Sequence, residues 1–84
     1  MKHIEYKTTG TCAKVIVLDL DDNNIIHNCQ FIGGCNGNLK AISKLVEGKS
    51  ASEISEILKG NTCGPRPTSC ADQLSIALLN AINE

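Results

Sequence analysis

Tryptophan is absent from this 84-residue chain, and phenylalanine and tyrosine occur once each, as Phe31 and Tyr6. A surface that stacks single-stranded nucleic acid needs several aromatic faces, so the composition argues against that role. Neither charge sign dominates: 8 basic and 9 acidic side chains leave a net charge of −1. A basic track for phosphates is therefore not expected either. No apolar run approaches the ~20 residues that cross a bilayer. The start, MKHIEYKTTG, lacks the apolar centre of a signal peptide. No membrane role and a cytoplasmic location are the expectations. The short patterns of metal and phosphate chemistry are missing as well. There is no CxxC, CxxH or HxxxH, no GxxxxGK[ST] and no GxGxxG.

What is present is an aliphatic chain of one small domain, residues 1–84, whose core must come from Ile, Leu, Val and Ala. Lys2–Thr8 alternates weakly and suits a short edge strand. Ala13–Leu20 is β-branched, with Ile16, Leu18 and Leu20 on one face and Val15 and Val17 on the other. Asp21-Asp22-Asn23-Asn24 supplies a turn in which Asn tolerates positive φ, and Ile25–Ile32 returns as the second strand of a hairpin. In that strand His27 falls on the face of Ile25, Cys29 and Phe31. After GGCNGN (Gly33–Asn38) a helix places Leu39, Ile42, Leu45 and Val46 inward. Ser50-Ala51-Ser52-Glu53 reads as a capping box that opens a second helix with Ala51, Ile54, Ile57 and Leu58 inward, stopped at Gly60. Asn61–Thr68 is an irregular loop stiffened by Pro65 and Pro67. Ser69 then caps a last helix from Cys70 to Ile82, with Asp72 in its first turn. Strands first and helices after predict an α+β domain: a small antiparallel sheet, hairpin plus N-terminal edge strand, packed with three helices. Ile76 and Leu79 lie off the last helix's buried stripe, leaving apolar surface for a partner enzyme or a second copy of the chain.

Five cysteines carry the chemistry this sequence can offer. In a reducing compartment a disulfide framework is not expected, so metal binding, thiol exchange or burial remain. Cys12 just before a strand, Cys35 in a glycine-rich loop and Cys70 at a helix start all stand at element ends. Helix N-termini favour thiolate, the form that binds metal. These three converge if the open end of the hairpin folds back on the helix starts, and Cys63 is the candidate fourth ligand. Cys29, in mid-strand, is expected to be a small buried hydrophobe. His27 reads as half-buried packing and His3 as solvated, either being an alternative ligand. Arg66 reads as solvated.

The stretches Thr68-Ser69-Cys70-Ala71-Asp72-Gln73-Leu74 and Phe31-Ile32-Gly33-Gly34-Cys35-Asn36-Gly37-Asn38-Leu39 closely resemble the small TSCPD-domain proteins, over nearly the whole chain. Ala71 stands where the name-giving motif has Pro. That family is similar to a C-terminal segment of some ribonucleotide reductase large subunits. The resemblance implies association with such a reductase or another enzyme of nucleotide metabolism. Eighty-four residues cannot hold a radical barrel, so an accessory, non-catalytic part is implied.

A weaker likeness is to iron–sulfur scaffold proteins of the NifU type, in which three cysteines hold a nascent cluster. Cys12, Cys35 (with Gly48-Lys49-Ser50 following) and Cys70, soon after Arg66, match those three. Lys14 and Ser69 replace the scaffold's Asp and His. The expectation is a cysteine-based module binding zinc or an iron–sulfur cluster through Cys12, Cys35, Cys70 and Cys63. The alternatives are a docking module without metal and a dithiol relay through Cys63 and Cys70.

Overall fold

The computed structural model describes residues 1–8, 13–34, 36–61 and 68–83. Three strands, β1 (Lys2–Lys7), β2 (Ala13–Leu20) and β3 (Ile26–Gly33), precede three helices, α1 (Asn36–Val46), α2 (Ala51–Leu58) and α3 (Cys70–Ile82). The sheet is antiparallel in the order β1-β2-β3, so the fold is the expected α+β arrangement. The period-two pattern of β2 sets its faces: Ile16, Leu18 and Leu20 are buried, while Val15 and Val17 are half-buried on the other side. Ile16, Leu18, Leu20 and Ile26 pack with Leu74 and Leu78 of α3 in the main core.

The hairpin turn forms as its residues dictate. The Asp21 side chain accepts from the Asn23 and Ile25 amides at 2.9 and 3.0 Å, and Asn24 takes φ 60°. Beyond it the strand departs from simple alternation. His27 pairs with Asp19 but Gln30 with Val17, so β3 carries one extra residue, and Asn28 lies at φ 56°. This bulge shifts the side-chain parity. Ile26 and Cys29 are buried, whereas His27 leaves the face assigned to it and turns toward Asp21 and Glu47.

Gly48 and Gly60 take φ +76° and +78° and stop α1 and α2. The capping box at α2 does not form. Ser50 occupies the N-cap position without a side-chain cap bond, and its hydroxyl lies 3.1 Å from that of Ser52. Two helix-face assignments also change. Leu45 and Ile57 are 72% and 65% exposed. At ~100° per residue each lies about 60° beyond its helix's packed stripe, and among the described residues no layer covers that side. On α2 the inward position goes instead to Ser55, and the buried Ser75 hydroxyl donates to its carbonyl at 2.7 Å. Small side chains let α2 and α3 approach closely enough for that bond.

Truncation of Leu74 to Ala, at a fully buried site, is expected to cost ~2–5 kcal/mol in urea unfolding. Leu45→Ala is expected to stay within about 0.5 kcal/mol in the same measurement, because its side chain is exposed.

Candidate thiol site

α3 begins in a dense set of side-chain bonds. Ser69 has extended backbone angles (φ −149°, ψ 171°), and its hydroxyl accepts from the Asp72 amide at 3.1 Å, the expected N-cap. The same hydroxyl donates to the Asn61 carbonyl. The Asp72 carboxylate does more than complement the helix dipole. One oxygen accepts from the Gly60 amide at 2.7 Å and the other from the Thr68 hydroxyl at 2.5 Å. Gln73, itself buried, donates from its amide to Thr68 at 3.0 Å. Thr68, Ser69 and Asp72 thus tie the start of α3 to the end of α2. The spacing of Ser69 and Asp72 signalled the cap, but nothing in the sequence signalled Gly60 as a partner.

Cys70 is the first residue of this helix and is buried, 8% exposed. It forms a second core cluster with Ala13 and Leu39, against which Phe31 and Ile42 pack. Ala13 opens β2 opposite Gly33, and Thr8 donates backbone N–H to Lys14 carbonyl at 3.1 Å across the β1–β2 connection. Gly33 and Gly34 both have φ above +80°, a left-handed pair that turns the chain from β3 toward α1. Of the four proposed ligands, Cys12, Cys35 and Cys63 lie outside the described residues, as does Arg66. Among the described residues, no three of His, Cys, Asp and Glu gather as a metal site.

Cys29 is buried as expected, and loss of hydration pushes its thiol up to about 11. It is a core thiol, distinct in setting from Cys70 at a helix start.

The histidines have other work. His27, half-buried, lies between Asp21 (2.9 Å) and Glu47 (3.1 Å), linking hairpin, β3 and the end of α1. Its pKa is raised, chiefly by the Asp21 hydrogen bond, and that of Asp21 is lowered, chiefly by His27. His3 lies between Asp19 (2.8 Å) and Glu5 (3.1 Å) on the open sheet face.

A fold of three antiparallel strands and three helices, with a capped Cys70 at the start of the last, defines a small α+β cysteine domain. The family model for the TSCPD domain matches residues 2–82, and the chain belongs to that family. No curated protein and no solved structure matches it. Among the described residues, no helix is long and apolar enough to cross a membrane.

Asp72→Ala removes an acceptor of two hydrogen bonds and is expected to lower stability by ~1–3 kcal/mol in denaturant unfolding. For His27, a raised pKa means its contribution is full below 6.5 and is lost as pH rises through the folded value. Asp21, lowered, contributes above 3.8 and loses this as pH falls through its folded value. Both contributions are therefore full between pH 3.8 and 6.5, the ordinary values of the two groups. An NMR titration of the His27 ring should show a midpoint above 6.5 that falls in Asp21→Asn.

Proposed function

We propose that this chain is a non-catalytic accessory domain holding zinc or an iron–sulfur cluster through Cys12, Cys35 and Cys70, with Cys63 as the fourth ligand. In this reading it serves a ribonucleotide reductase or another enzyme of nucleotide metabolism. The observation that carries the metal reading is the shared cluster of Ala13, Leu39 and Cys70. Ala13 follows Cys12 directly, and Leu39 lies four residues after Cys35 in sequence. Two residues that follow Cys12 and Cys35 closely in sequence thus pack with Cys70, which supports the reading. The reductase link is supported by family membership and by the resemblance of the family to the reductase C-terminal segment.

The donor chemistry suits the proposal. Thiolates are soft ligands that take zinc tetrahedrally or hold iron–sulfur clusters. The first turn of α3 offers Cys70 the positive end of the helix dipole, and Ser69 and Asp72 hold that turn in register. A bound metal would also add folding energy to a core poor in aromatics.

Protein purified anaerobically without chelator is expected to carry about one zinc, or an iron–sulfur absorption, per chain. Elemental analysis and visible spectra should lose the signal in Cys35→Ala and Cys70→Ala but retain it in Cys29→Ala, which removes only a core thiol. A folded wild-type protein without metal would overturn the reading, and a reversible Cys63–Cys70 disulfide in that protein would favour the dithiol relay.

A further inference from the structure

A cleft of about 570 Å³ opens between β3 and α1. Phe31 and Gly33 line one wall and Leu39, Lys40 and Lys44 the other, with Glu47 at one end. This volume falls within the roughly 300–1,000 Å³ range of ligand clefts. Its long wall is a sheet edge, because β3 is terminal in the strand order.

Among the described residues, that edge is covered over half its length only. At the hairpin end, Ile26 exchanges backbone hydrogen bonds with Gly48 and Lys49 at 2.8 and 2.9 Å. The Asn28 amide donates to the Glu47 carboxylate at 2.8 Å. Farther along, backbone parity decides what faces outward. The Asp21 amide bonds Ile25 in the hairpin, and the Lys14 carbonyl accepts from Thr8 on the β1 side. Odd-numbered residues of β2 therefore bond β3, which assigns Val17 to Gln30 and Val15 to Ile32. The N–H and C=O of Phe31, between them, point away from β2 into the mouth of the cleft. Among the described residues, no hydrogen bond joins them to α1 or to the segment after it. An open strand edge facing a helix across an apolar floor is the geometry of strand addition.

The charges select the occupant. Lys40 and Lys44 stand one turn apart on α1, and among the described residues no carboxylate pairs with either. Glu47 is already engaged by His27 and Asn28. A second copy of β3, IHNCQFIG, would bring no carboxylate to these lysines. We propose that the cleft takes an extended acidic segment of a partner polypeptide. The segment adds to β3 as a fourth strand, its carboxylates within reach of Lys40 and Lys44 and an apolar side chain on Phe31 and Leu39. This docking does not depend on the metal reading.

The test selects random peptides of about eight residues, displayed on phage, against the full chain. Enriched peptides are then synthesised and their affinity measured by fluorescence anisotropy. The expected peptides alternate carboxylate and apolar residues. Their binding weakens at least about tenfold in Lys40→Glu/Lys44→Glu, survives within about twofold in Lys40→Arg/Lys44→Arg, and falls with salt. Circular dichroism melts confirm that the charge-reversed chain is folded, as expected for exposed helical positions. Exchange of the Phe31 amide should slow at least about tenfold in the complex. Enrichment of no acidic peptide, affinity insensitive to charge reversal, or an unprotected Phe31 amide overturns the proposal. So does a Phe31 amide already protected without peptide in a chain that sediments as a dimer, which would assign the edge to a second copy.

Discussion

The Asp72 carboxylate is the point on which the helical layer depends. It receives the Gly60 amide at the end of α2 and the Thr68 hydroxyl before α3, while its own amide is held by Ser69. A carboxylate among N–H and O–H donors at a helix N-terminus gains from both the hydrogen bonds and the dipole. The consequence reaches past the turn itself. Fixing where α3 begins also fixes where Leu74 and Leu78 enter the core, and it puts Cys70 against Ala13 and Leu39. Ser75 and Ser55 close the same helix pair farther along, with a buried bond that only small side chains permit.

The sheet contributes through the asymmetry of β3. The extra residue near Asn28 reverses side-chain parity, so Ile26 and Cys29 are buried while His27 leaves the core for two carboxylates. That ion-paired end is sealed by the 48–50 segment and by Glu47. The opposite end carries two left-handed glycines, and among the described residues no backbone bond covers its outer edge. Among the described residues, one strand thus has a closed half, which binds the sheet to α1, and an open half near Ala13, Leu39 and Cys70. Bulges commonly mark such a change of duty along a strand.

The two described cysteines differ in setting. Cys29 sits in the main core, where burial raises its pKa. Cys70 is equally buried but begins a capped helix in the second cluster.

Much of this was legible in the sequence, because local rules act over a few residues. Alternation in Ala13–Leu20, the Asp21–Asn24 turn, the glycine stops at Gly48 and Gly60 and the Ser69 cap all appear where short-range chemistry puts them. The burial of Cys29 was expected of a mid-strand thiol, since free cysteine behaves as a small hydrophobe. Other features needed the tertiary structure. Leu45 and Ile57 are apolar at helical spacing, yet they are exposed because, among the described residues, no second layer reaches that side. Ser50 and Glu53 have capping-box spacing, yet the Ser50 side chain makes no cap bond. The bulge at Asn28, the reach of Asp72 to Gly60 and the gathering of Ala13, Leu39 and Cys70 join residues far apart in the chain. Sequence determines which segments can be strands, turns and capped helices, since those depend on neighbours. Which apolar faces are covered, and which edges stay open, depends on how the layers meet.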